Sequence, residues 1–352
     1  MSISTSISTM RATKTGTVGA YLTAGDVEKV RQVRERTGHV TLSGRSGAKV
    51  LGALAASGDL AGIDFDPAAY TDKEPDGGLF AVDWIARQRD LGLTVVRSAG
   101  AFANRKDGAS LKAAFAAKLP SDVVRVVSVS SFWLQPKNRG PLVAAVRNCD
   151  NPLALVLADP FDPLRSADAV ESLKALMDAA APAERRIELL RTDVHAIAFA
   201  AAGGAHAAIG LTTTGRHHPQ PLNRSTKEKF DRRQQSASVW LPDLMSWQHG
   251  ARLVALAPFD GAGITSCNCG PCDGRDLMRF TDEWTQVPAD VRADAQAHDV
   301  ASWVALRNRV LNATDPKAAW KAACDAALAT EARLANDHKV ALSTQSSLTA
   351  WS

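Results

Sequence analysis

Cys267, Cys269, Cys272 and His298 form a Cys-x-Cys-x2-Cys-x25-His pattern, a ligand set suited to one tetrahedral cation. Three of the five cysteines fall within six positions. Thiolates this close in sequence converge on one ion only if the chain reverses sharply between them, and Asn268 and the Gly270-Pro271 pair permit that. Four protein ligands leave no open position for substrate, so the pattern predicts a structural Zn2+ site rather than a catalytic one. Unrelated buried thiols beside a helical histidine are the alternative, which spacing this tight disfavours.

Acidic residues close several apolar runs: Asp64-Phe65-Asp66-Pro67, Asp159-Pro160-Phe161-Asp162, Thr192-Asp193 and Phe259-Asp260-Gly261. Carboxylates at such positions either cap the following helix or serve chemistry at the mouth of a parallel sheet. A further run, Gly210-Leu211-Thr212-Thr213-Thr214-Gly215-Arg216-His217-His218-Pro219, offers donors suited to an anion, or is a solvated loop. Downstream, Arg224, Lys227, Lys229, Arg232 and Arg233 make a basic stretch interrupted only by Glu228 and Asp231. It is either a phosphate-binding face or a solvated helix. Trp133 after the third apolar run is a residue able to stack on a base, although core packing is the usual duty of tryptophan.

The elements that must position these groups read as repeated βα units. Eight candidate strands are Leu60 to Phe65, Leu93 to Arg97, Val123 to Val129, Leu153 to Ala158, Arg186 to Arg191, Ala207 to Thr212, Ser238 to Leu241 and Arg252 to Ala257. Most are continuous apolar runs, as expected of a parallel sheet covered on both faces. Ala81 to Leu91, Ala167 to Ala179 and Pro242 to His249 read as helices. The expected fold is α/β, a (β/α)8 TIM barrel over 60–262, with a zinc-binding subdomain at 263–312 and a C-terminal helix and tail at 313–352. Residues 1–59 are expected to flank the barrel, with a helix from Asp26 to Arg36 capped by Asp26, a short strand at Val40 to Leu42 and a glycine-rich turn at Ser43 to Gly47. Pro316 to Asp337 reads as helix and residues 341–352 as a frayed tail.

With 352 residues and 45% apolar composition the chain is long enough for a large core. A net charge of +4 permits nucleic-acid contact without requiring it. Five cysteines, an odd number, argue against a disulfide framework and for a reducing, cytoplasmic setting. Residues 1–15 lack the apolar core of a signal peptide, and no run approaches the roughly 20 apolar residues of a membrane span. No Gly-x-Gly-x-x-Gly or Walker-type loop is present to favour an open nucleotide-binding sheet.

The cysteine–histidine spacing, followed by Val300, Trp303, Val304, Leu306 and Val310, resembles the zinc subdomain of the tRNA-guanine transglycosylase family. That resemblance implies a TIM barrel exchanging guanine for a 7-deazaguanine base in tRNA or DNA, and a homodimer formed through the zinc subdomain. Such an exchange passes through an oxocarbenium-like state that one carboxylate stabilises or traps while a second carboxyl group manages protons. The run Leu93 to Phe102 is similar to the family's proton-handling segment, with Arg97 in place of its aspartate and Ser98, Gly100 and Phe102 retained. Aligned from Gly250, the nucleophile position falls on Ala255; a shifted register makes Asp260 the nucleophile, with Asp159 and Asp64 as partners. Gly210 and Leu211 resemble the segment that offers backbone groups to the incoming purine or 7-deazapurine base, and Arg97, Ser98, Arg216 and His217 are added as substrate contacts. The competing expectations are a non-catalytic nucleic-acid-binding relative in which Arg97 makes an anion pocket, and a barrel enzyme for a small phosphorylated metabolite.

Overall fold

The computed structural model describes residues 16–23, 25–71, 82–104, 107–159, 161–218, 236–257, 263–338 and 346–351. Eight parallel strands form one curled sheet: β1 (Thr17–Leu22), β2 (Val40–Ser43), β3 (Ile63–Asp66), β4 (Ala101–Ala103), β5 (Arg125–Ser130), β6 (Leu153–Ala158), β7 (Ile187–Thr192) and β8 (His206–Gly210). Their spatial order is β3-β2-β1-β8-β7-β6-β5-β4, so the first and last strands are neighbours at the centre, in register from Thr17 opposite His206 to Tyr21 opposite Gly210.

Helices cover the outer face: α1 (Val27–Thr37), α2 (Gly44–Ala56), α3 (Trp84–Asp90), α4 (Gly108–Ala116), α5 (Arg139–Arg147), α6 (Ala167–Ala180) and α7 (His195–Ala201), while the short α8 (Thr213–Arg216) folds over the end of β8. Asp26 caps α1 by accepting from Lys29 N at 2.8 Å, and Gly38 closes it at φ 77°. The outward residues of β6, Leu153, Leu155 and Leu157, join the main core under these helices, while Ala154 and Val156 face inward beside Tyr21, Val126, Leu190 and Ala208. Burial on both faces explains why these strands read as unbroken apolar runs.

The strand edges of β3 and β4 are not hydrogen-bonded to each other among the described residues. Ala69 N donates to Ala99 O at 2.9 Å, and Arg97 reaches from just before β4 to Phe65 O at 3.4 Å and to Asp64 at 2.8 Å. The seam is therefore bridged by that backbone bond and a side chain where other strand pairs use a backbone ladder.

Beyond the sheet, β9 (Ser238–Leu241) and β10 (Ser246–His249) form an antiparallel hairpin, followed by α9 (Gly250–Leu256), α10 (Ala289–Leu311), α11 (Pro316–His338) and α12 (Ser346–Trp351). A separate core of Val239, Leu241, Leu253, Leu256, Phe280 and Leu334 holds this region.

Several expectations change. Residues 17–56 are not a flanking extension; they supply the first two βα units, and β1 lies mid-sheet. The glycine-rich run at Ser43 to Gly47 opens α2 instead of making a turn. Arg252 to Ala257, expected as the last strand, lies in α9 and its C-cap, because a short apolar run fits either structure and the hairpin before it turns the chain away from the sheet. Ser238 to Leu241 is a strand, but of the hairpin; Ser246–His249, read as helix, is its partner. Leu93 to Arg97 contributes only the isolated bridge of Arg97 with Val124 ahead of β4. Residues 346–351 are helical and dock Leu348 and Trp351 into the main core. No helix among the described residues is long and apolar enough to cross a membrane.

Candidate metal centre and the pocket at the strand ends

Cys267, Cys269 and Cys272 lie on the loop between α9 and α10, and α10 carries His298. Cys272 N and Asp273 N both donate to Cys269 O, at 2.9 and 3.0 Å, and Asp273 and Gly274 turn with φ of 51° and 75°. That reversal folds the third thiol back on the first two. His298 is fully buried, and its Nε2 donates to Trp240 O at 2.8 Å, which fixes the tautomer and leaves Nδ1 as the donor atom facing the thiols. Nδ1 lies 3.3, 3.5 and 3.3 Å from the sulfurs of Cys267, Cys269 and Cys272. Around a tetrahedral ion with sulfur at about 2.3 Å and nitrogen at about 2.0 Å, those separations should be about 3.5 Å. Burial, then the neighbouring thiols, pushes Cys269 up to about 12, so a cation is what lets these sulfurs ionise together. Arg279 Nη2 donates to the Cys272 sulfur at 3.1 Å, the outer contact expected of a thiolate. The group is positioned to bind a metal ion, with all four ligands from the protein.

At the carboxyl ends of β6 and β7 the chain gathers acids and imidazoles. Asp159 accepts from Ser131 Oγ and from Phe161 N at 3.0 Å, with Arg165 Nη1 at 3.6 Å. Asp193 accepts from His195 N at 3.0 Å, and His195 Nε2 stands 3.5 Å from Asp162 Oδ2 and 4.0 Å from Asp193 Oδ1. Burial and then the Asp162 carboxylate push Asp193 above the usual carboxylate range. Burial would lower His195, but Asp193 and Asp162 outweigh it and hold the imidazole up at about 9. His217, lowered mainly by burial, feels both Asp193 and Asp159. A cavity of about 400 Å³ joins Asp162, Arg165, Asp193, His195, Arg216 and His217 to the β9–β10 hairpin.

Arg216 links this mouth to the metal region. Its guanidinium lies 4.1 Å from the Trp247 ring centre, and Trp247 Nε1 donates to Asp299 at 3.2 Å, next to His298. Trp240 N also donates to Asp299, at 2.7 Å, yet burial pushes this carboxyl up to about 7.

Other sequence candidates fall elsewhere. Arg97 is fully buried between Glu188 at 2.7 Å and Asp64 at 2.8 Å, in the layer formed by the first residues of the strands. Asp64 also faces His39 Nε2 at 3.0 Å, and although burial acts to raise it, Arg97 and His39 hold it well below the carboxylate range. Neither Asp64 nor Arg97 reaches the mouth, so Asp64 is a partner of the seam and Arg97 makes no anion pocket. Ser98 Oγ accepts from Val126 N at 2.9 Å, a structural contact. Gly210 has a steric reason: a Cβ there would sit 2.1 Å from Gly215 C, because the loop after β8 folds back over the strand end. Leu211 is buried and donates its N to Tyr21 O at 3.3 Å. Trp133 is core, with Nε1 donating to Asn104 O. Asp260 and the basic residues Arg224, Lys227, Lys229, Arg232 and Arg233 lie outside the described residues.

Sequence reasoning noted Asp162 and Asp193 as strand-end acids but passed over His195. The available signal was the Asp193-Val194-His195 step directly after β7, which places an imidazole one residue beyond a strand-end carboxylate's neighbour. Comparison of the chain with family models, with curated proteins and with solved structures returned no match.

Proposed function

We propose that the protein is a base-exchanging glycosyltransferase of the tRNA-guanine transglycosylase kind, acting on a purine or 7-deazapurine base in tRNA or DNA. In this reading the curled sheet is a (β/α)8 barrel with one loose seam, between β3 and β4, and the Cys3His group holds Zn2+. The observation that carries it is the Cys3His cluster, whose spacing underlies the family resemblance and whose Nδ1–sulfur distances of 3.3 to 3.5 Å suit that ion. Bound there, zinc ties the loop to α10 and supplies no catalysis.

The chemistry belongs to the strand-end pocket, where carboxylates of parallel strands meet. Asp159, beside that pocket and next to Arg165, is oriented by Ser131 and the Phe161 amide, so its carboxylate is held rather than free to rotate. It attacks or stabilises the ribose C1′ as the glycosidic electron pair leaves with the old base; the incoming base then displaces it. His217, held neutral by burial, takes the proton from the incoming base and returns one to the leaving base. Arg165, close to Asp159 and more than half exposed, suits a backbone phosphate.

The test is incubation of the zinc-loaded protein with radiolabelled guanine or a 7-deazaguanine base and either tRNA or DNA, followed by precipitation of the polymer. Incorporation into one polymer, abolished by Asp159→Asn, is expected. Loss in Asp260→Ala with Asp159→Asn still active would move the nucleophile to Asp260. No incorporation into either polymer would sink the base-exchange reading.

A further inference from the structure

We propose that Asp162, Asp193 and His195 form a second metal site, for a divalent first-row cation, with open coordination positions facing the pocket at the strand ends. The inference goes beyond base exchange and does not depend on it. One ligand atom from each of the three residues lies within 4.8 Å of the other two. With His195 Nε2 at 3.5 and 4.0 Å from the two carboxylates, and those within 4.8 Å of each other, an ion in the plane of the three ligand atoms can sit about 2.4 Å from each, so closing by a few tenths of an ångström gives transition-metal bond lengths. One imidazole and two carboxylates suit Zn2+ or Mn2+ over Ca2+, which takes oxygen ligands only.

The surroundings favour a cation. His195 is almost fully buried, its Nε2 aims at the carboxylates, and its Nδ1 has no hydrogen-bond partner among the described residues. Neither Asp162 nor Asp193 has an Arg or Lys ion-pair partner among the described residues, although Asp193 is buried. Buried carboxylates are ordinarily paired with a cationic side chain or a metal.

The other imidazole–carboxylate group, His39, Asp64 and His206, shows what a filled site looks like. There Arg97 takes Asp64 at 2.8 Å, while Thr17 and Thr41 hydroxyls take the two nitrogens of His206, at 2.9 and 3.4 Å. Asp64 thus already has its cation, and His39 Nε2 faces that same carboxylate at 3.0 Å. At the mouth the three protein ligands leave positions toward Arg216, His217 and Gln248, where a substrate oxygen or purine nitrogen would complete the shell.

Titration of the zinc-loaded full chain with Mn2+, followed by electron paramagnetic resonance of free Mn2+, reads this site directly, because Mn2+ avoids thiolate cages. One Mn2+ per chain is expected, weakened at least roughly ten-fold by Asp193→Asn and by His195→Ala, with zinc content and circular dichroism unchanged. Should either variant misfold, Asp162→Asn, at a half-buried position, gives the same reading. Absence of binding by both Mn2+ and a second equivalent of Zn2+, or binding equal in all variants, overturns the proposal. Mn2+ binding without base exchange leaves the metal site standing and removes the transglycosylase reading; exchange without binding of Mn2+ or a second Zn2+ does the reverse.

Discussion

The two imidazole–carboxylate groups of the sheet lie at opposite ends of the strands and solve the same electrostatic problem differently. At the amino ends, Asp64 and Glu188 share the guanidinium of Arg97, and Arg186 adds a second contact to Glu188 at 2.7 Å. At the carboxyl ends, Asp162 and Asp193 have only His195 between them and a cavity of about 400 Å³ beside them. The first arrangement is complete and holds the seam. The second has no guanidinium or ammonium group within ion-pair distance among the described residues and opens onto the cavity.

The Cys3His cluster sets the scale for a completed site. Cys272→Ser should release the metal and unfold the region from β9 to α11, the largest effect expected, since apparent zinc-binding energies reach about 10–16 kcal/mol in small zinc modules. Metal content by atomic absorption together with a thermal melt reads it; full metal retention would remove the cluster from the argument. Next, Arg97→Met should destabilise the fold by about 3–5 kcal/mol in urea unfolding, because it strands two buried carboxylates. A loss below about 1 kcal/mol would erase the contrast between the two ends.

The two regions should also respond to pH with opposite signs. Asp64 is depressed, so its contribution is present above the ordinary carboxylate value and lost only as pH falls through its lower folded value. His195 is raised from 6.5 to about 9, so its contribution is present below 6.5 and lost as pH rises through about 9. Without added divalent cation, His195→Gln should flatten the fall in stability over that window, by roughly 1–3 kcal/mol. An unchanged slope in urea melts at pH 6 and pH 9.5 would count against the open-pocket assignment. The smallest effect belongs to Asp59, whose exposed bridges to Arg31 and Arg34 lower it to about 2; Asp59→Asn should leave melts near neutral pH almost unmoved.

The sequence disclosed the metal cluster because three of its ligands are nearly contiguous, and it disclosed β5 to β8 because strands buried on both faces are dense in apolar residues, without a break in β6. It concealed β1, whose Thr-Val-Gly-Ala-Tyr-Leu run contains a glycine that close approach demands: a Cβ at Gly19 would meet His39 O at 2.6 Å. It misrepresented Arg252 to Ala257, which has strand-like composition but follows a hairpin and coils. For His195 the Asp193-Val194-His195 step shows one partner but not the other. Its partners come from the loops after two different strands, and only the pairing of β6 with β7 sets Asp162 beside Asp193.

The central position of β1 bears on how the chain is made. Thr17 finds its partner His206 only after 189 further residues, which at roughly 5–20 residues per second takes about 10–40 seconds of synthesis. Until β8 emerges from the ribosome, one edge of β1 stays unpaired, presenting its backbone N–H and C=O groups to any passing strand. A nascent chain stalled before residue 206 should therefore be held by chaperones, whereas one extended past β8 should let go.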